Sequence, residues 1–192
     1  MSKIRLDSTS EQNILNMLLD HSVIDNNQLS KINSTSNEIG KSKLETAFEL
    51  NITNEDKILK LLSSSCSLDM IDLTERKIDE KLKKILDIRF IEENSIVPFE
   101  ISGNILKIAI PDASKLSLMK NLKTITKMEP ELYASSITNV NNFIDRFKKL
   151  NNKRISENSA SVEKAKSKEN SEELVEIGGE VISFVHKLIV EA

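Results

Sequence analysis

The chain has 192 residues, enough for one large or two small domains, with 39% hydrophobic and 30% charged residues, a globular composition with much solvated surface. The formal net charge of -3 gives no electrostatic ground for a nucleic-acid or membrane-surface binder, and a single cysteine, Cys66, excludes an intrachain disulfide. The N-terminus lacks the apolar core of a signal peptide, and no apolar run approaches the length that spans a bilayer, so the expectation is a cytoplasmic protein without membrane insertion.

Residues 10–70 read as a small helical bundle. Ile14, Leu15, Leu18 and Leu19 form one apolar stripe in EQNILNMLLDH. Asp25 is placed to cap a second helix burying Leu29 and Ile32; KLETAFEL supplies Leu44, Ala47 and Phe48; and Thr53 or Asn54 caps EDKILKLLSSS, where Ile58, Leu61 and Leu62 share a face. SVIDNNQL and NITNEDKIL both read as turn, cap and helix start, which suggests a duplication. LDMIDL, at Leu68–Leu73, reads as a link to the next unit.

Residues 74–150 read as an α/β unit. Ile78, Leu82, Ile85 and Leu86 have helical spacing, and Asp87 caps a short helix in IRFIEEN. SIVPFEIS and NILKIAI alternate as strands around Gly103 and Asn104, with Val97, Phe99 and Ile101 on one side of the first and Leu106, Ile108 and Ile110 on one side of the second. PDASKLSLMKNLK then reads as a helix carrying Leu116, Met119 and Leu122, capped by Asp112 or Ser114, and KMEPELYAS as a third strand. SITNVNNFIDRF closes the unit as a helix with Val140, Phe143, Ile144 and Phe147 at i, i+3, i+4 and i+7. From 151 to 173 the apolar signal falls away, predicting a flexible linker. Residues 179–192 read as a C-terminal helix with an apolar stripe of Val181, Phe184, Val185, Leu188 and Ile189. The predicted class is α+β: a small N-terminal helical bundle, an α/β unit with a three-stranded sheet, a flexible linker and a C-terminal helix.

That order of elements, with IVPFEISGNILKIAIPD at its centre, resembles the N-terminal domain of the type II secretion and type IV pilus assembly ATPases. In that family a helix leads into a V-x-P-L/F strand, a turn, an L-x-V/I-A strand and a D-P-like helix start. The resemblance covers about residues 10–150 and returns near 175–192, where the final segment is similar to the one entering the ATPase core. It implies a non-catalytic adaptor that attaches a hexameric motor to an inner-membrane platform or a cytoplasmic assembly protein, working in the cytoplasm at the inner face of the membrane. It implies no cofactor and no nucleic acid.

The chemistry-bearing motifs are few. Gly40-Lys41-Ser42 invites a phosphate-loop reading, but that loop needs a further Gly where Thr35 stands, and a preceding strand. ATP hydrolysis is therefore not expected. Related N-terminal bundles bind cyclic di-GMP through repeats built on an R-L-G start, a mid-motif Gly and a closing Gln. Here the first repeat reads Asn13-Ile14-Leu15, with Ser22 and Ser36 at the Gly and Gln positions; the second has Asn51 and Ser65 there. The apolar positions survive and the ligand positions do not, so a structural bundle is expected, with a cyclic di-GMP sensor or an unrelated interaction protein as alternatives. His21 and His186 lack metal-ligand spacing, and no His or Asn is placed to activate Cys66. Glu92-Glu93 and Glu129/Glu131 read as solvated charge.

Arg146, Lys148, Lys149, Lys153 and Arg154 form the one basic cluster, most of it explained by the dipole of the helix it ends. Arg146, Lys148 and Lys149, with Phe184 and Leu188 of the final helix, are the candidate residues for partner docking, and self-association is a further outcome for that helix.

Overall fold

Asp7 starts the first helix. Its carboxylate accepts the Ser10 N–H at 2.8 Å, and α1 (Ser8–Asp20) follows, burying Ile14, Leu15 and Leu18. The computed structural model describes residues 5–150. The chain turns out of α1 at Ser22, in the left-handed region at φ 54°, and Val23 N–H donates to Leu18 O at 2.8 Å. Asp25 then opens α2 (Asn26–Ile39) with a reciprocal capping box: Gln28 N–H reaches the Asp25 carboxylate at 2.7 Å, and the Gln28 side chain accepts Asp25 N–H at 3.0 Å.

The same sequence of bonds recurs one repeat later. α3 (Lys43–Glu49) ends in a turn at Asn51, also at φ 54°, with Ile52 N–H donating to Ala47 O at 3.0 Å. Asn54 caps α4 (Glu55–Cys66) through Lys57 N–H at 2.9 Å. Ser22 and Asn51 are 29 residues apart (51 − 22), as are Asp25 and Asn54 (54 − 25). The duplication read from the sequence is thus present as matching turns and caps.

Leu68–Leu73 does more than link. Met70 bridges Ala134 in parallel, with Ile71 N–H to Ala134 O and Ala134 N–H to Asp69 O, both 2.9 Å. The helix expected on Ile78, Leu82, Ile85 and Leu86 shrinks to one turn, α5 (Leu82–Ile85). Its end is set by Asp87, which caps α6 (Ile88–Asn94) through Arg89 N–H at 2.7 Å; Leu86 before it is extended at ψ 135°, so the helix cannot continue through it.

Strands β1 (Val97–Ser102) and β2 (Ile105–Ile110) pair antiparallel around Gly103, whose φ of 59° suits a two-residue hairpin loop. The register shifts between Pro98 and Glu100, so the expected alternation breaks: Val97, Pro98 and Phe99 are all buried, whereas Ile101 is half-buried. β3 (Glu129–Ala134) pairs parallel to β2, giving a mixed sheet of order β1-β2-β3.

Between β2 and β3 the expected single helix divides. Asp112 caps a 3-10 helix over Ala113–Leu118, which passes into α7 (Met119–Thr126). A 3-10 turn takes about three residues instead of 3.6, so Leu116, before the junction, no longer shares one stripe with Leu122, after it. Leu122 alone of the three expected core residues is buried; Leu116 and Met119 are 36% and 39% exposed. Lys115 is buried in their place.

The closing helix, α8, occupies the described residues 137–150. Val140, Phe143, Ile144 and Phe147 are buried as the spacing predicts and join the core of the sheet. Ile137, at its first position, joins the separate core of α1–α4. The Glu55 carboxylate accepts both Thr138 N–H, at 3.2 Å, and the Thr138 hydroxyl, so the start of α8 is capped from the first turn of α4. Described residues up to Lys148 form one compact unit containing both cores. The linker expected over 151–173 and the C-terminal helix expected over 179–192 lie outside the described residues.

Candidate interaction surfaces of the repeats and the sheet domain

The positions matching the nucleotide-binding repeats serve the fold. Leu15, where the motif has Gly, is fully buried in the core of α1–α4. Ser36 is buried and its hydroxyl donates to Lys41 O at 2.8 Å, which fastens the α2–α3 turn. Ser65 pairs with His21 Nε2 at 3.1 Å. Ser22 and Asn51 keep the left-handed backbone a glycine would adopt, with side chains that a glycine lacks. The left-handed turns are present in both repeats, and Leu15, Ser36 and Ser65 are used inside the fold.

Gly40-Lys41-Ser42 is a helix–helix corner. Gly40, at φ 66°, ends α2; Lys41 pairs with Glu49 at 2.5 Å; and Ser42 caps α3 through Glu45 N–H at 3.1 Å. The Gly40 N–H, the Lys41 ammonium and the Ser42 hydroxyl each have a structural partner. Burial pushes the Cys66 thiol up from its ordinary pKa, away from the reactive thiolate form. Among the described residues no group of His, Cys, Asp and Glu is arranged to hold a metal ion.

The basic end of α8 is partly occupied. Arg146 donates to Leu73 O at 2.5 Å and Arg76 O at 3.2 Å, with its guanidinium 5.0 Å from the centre of the Phe143 ring. Lys148 pairs with Glu92, and Lys149 is exposed. Lys153, Arg154, Phe184 and Leu188 lie outside the described residues.

On the sheet, Glu100 is held between Lys107 at 2.7 Å and Arg76 at 2.8 Å, and these cations keep its carboxyl below the usual range, Lys107 first. Arg76 also lies 5.0 Å over Phe99, which meets Tyr133 edge-on at 5.2 Å. Tyr133 O–H donates to Glu131 at 2.8 Å, which pushes the phenol up. This surface is internally neutralised. Glu129 likewise pairs with Lys123 at 2.5 Å.

Sequence reasoning missed a different surface. Between Asp112 and Glu129 there are four lysines and no carboxylate, in a chain whose net charge is -3. Lys115 is spent on Asp7, 3.1 Å away, but Lys120, Lys123 and Lys127 are exposed along α7 and its C-cap. The run of lysines without acids was the signal that could have found it.

Residues 66–150 match the MshEN domain family. Two solved structures share the fold. The structure of MshE with cdg is 20% identical, covers 70% of this chain and 97% of its own, and superposes with a TM-score of 0.52. The N-terminal domain of XpsE is 16% identical, covers 74% of this chain and 98% of its own, also with a TM-score of 0.52. No curated protein matches the chain. The resemblance read from IVPFEISGNILKIAIPD therefore holds: residues 66–150 match the MshEN domain family, and the chain shares its fold with the solved MshE and XpsE N-terminal structures.

Proposed function

We propose that the chain is a non-catalytic adaptor of a type II secretion or type IV pilus machine, docking in the cytoplasm to an inner-membrane platform or a cytoplasmic assembly protein. The observation that supports this reading most is the match to the MshEN domain family at 66–150, set behind a helical repeat whose polar groups are committed to its own turns and caps. A rigid unit of this kind suits attachment. No helix among the described residues is long and apolar enough to cross a membrane, so attachment would be through protein contacts. The partition into a bundle at 10–70 and a sheet domain at 74–150 fits this role, with α8 contributing to both cores.

The cyclic di-GMP reading is favoured by one observation, the solved MshE with cdg, and opposed by Leu15, Ser36 and Ser65, whose side chains are used inside this fold. Titration calorimetry of the full chain with cyclic di-GMP tests the choice. Heats indistinguishable from dilution support the adaptor; micromolar or tighter binding promotes the sensor.

A further inference from the structure

Helix α7 is poorly buried for its length. It has eight residues, of which only Leu122 is buried. A helix this short is not stable on its own in water and depends on the surface it packs against. At about 100° per residue, Lys120, Lys123 and Lys127 fall within about 60° of one another around the axis, and Met119 borders them. Leu116, in the preceding 3-10 turn, leaves a second large apolar side chain in solvent. Ile125 is also exposed, at 54%, but the same geometry places it on the far side of the helix.

The charge on this face is not balanced locally. Lys123 meets Glu129, while Lys120 and Lys127 have no ion pair among the described residues. On the outer sheet surface, by contrast, Arg76 and Lys107 each have an ion-pair partner, the shared Glu100.

We propose that Leu116 of the 3-10 turn and Met119 of α7, with Lys120, Lys123 and Lys127, form a docking surface for an acidic amphipathic helix of a protein partner. The complementarity is twofold: apolar side chains would cover Leu116 and Met119, and carboxylates would meet the three lysines. A row of three lysines at i, i+3 and i+7 matches the spacing of acids along one helix face. The proposal rests on the adaptor reading for the class of partner and adds the surface and its chemistry.

The test is fluorescence anisotropy of the full chain with a synthetic amphipathic peptide. The peptide carries leucines at i, i+3, i+4 and i+7 and glutamates elsewhere; a second peptide has lysines in place of the glutamates. The acidic peptide should bind and the basic one should not. Lys120→Glu with Lys127→Glu should weaken binding about tenfold or more, as should Met119→Asp, and raised salt should weaken it in wild type. Ile125→Asp should leave it unchanged. Equal binding of both peptides, no binding of either, or equal loss in Ile125→Asp and Met119→Asp overturns the proposal. So does binding to phosphatidylglycerol vesicles without binding to the peptide, which would assign the face to a lipid surface. A dimer in light scattering that Met119→Asp abolishes would assign it to a second copy and overturn the proposal as well. Loss of peptide binding alone leaves the adaptor reading standing, because that reading is tested by recovery of the machine's own components.

Discussion

The Lys115 ammonium lies 3.1 Å from the Asp7 carboxylate that caps α1, joining the first helix of the repeats to the 3-10 turn beside the sheet. Lys115 is buried, so its stem and charge depend on this one partner. Partial burial pushes the Asp7 carboxyl up, but the hydrogen bonds from Ser10 N–H and Oγ–H and the Lys115 ammonium outweigh it and carry the pKa down to about 2.

That depression sets a pH dependence. A carboxyl lowered in the folded state adds stability above its unfolded pKa, near 3.8, and loses it as pH falls toward about 2. The Asp7 side chain is 40% exposed, so solvent screening reduces the effect to about 1 kcal/mol. Asp7→Asn retains the cap but not the charge. Urea unfolding at pH 5 and pH 2.5 should show a smaller loss for Asp7→Asn than for wild type, and equal losses would contradict the pairing.

A second tie joins Glu55 to Thr138. Glu55→Gln and Thr138→Ala should be non-additive, with a coupling of about 1 kcal/mol in a double-mutant cycle, because they break the same cap. Additive losses would mean that α8 does not depend on α4 for its start.

Ser22 carries a left-handed backbone that costs an L-residue about 1 kcal/mol. Ser22→Gly should raise stability by about 0.5 kcal/mol after the entropy glycine adds to the unfolded chain, and Ser22→Val should lower it. Thermal melts decide it; a stabilising valine would contradict the turn geometry.

Much of this was legible in the residues. Asp25, Asn54 and Asp87 cap where their side chains and the following apolar spacing place them, and the run Val140, Phe143, Ile144, Phe147 buries as its period requires. The failures were at junctions. No local signal marks the 3-10 turn that takes Leu116 off the Leu122 face, or the bulge between Pro98 and Glu100 that interrupts alternation. Long-range pairs such as Asp7–Lys115 and Glu55–Thr138 are invisible in a linear pattern, because the sequence records spacing along the chain and not proximity across it. Within the basic cluster at the end of α8, the use of Arg146 on the carbonyls of Leu73 and Arg76 was hidden for the same reason.

Gly40-Lys41-Ser42 is committed to ending α2 and starting α3, so the purified chain should show no ATP turnover above background. Phosphate release assayed on wild type and Lys41→Ala checks this. Turnover that disappears with Lys41→Ala would contradict the structural account of the corner.

The adaptor reading is tested most directly by in-cell crosslinking. A photoreactive residue at Lys120, with a second at Lys149, would be crosslinked in cells that assemble the machine, and products identified from the membrane fraction. The account predicts covalent products with an inner-membrane or cytoplasmic assembly protein of the secretion or pilus apparatus, unchanged when cyclic di-GMP is depleted. Products confined to unrelated soluble proteins, or products that vanish with the nucleotide, would contradict it.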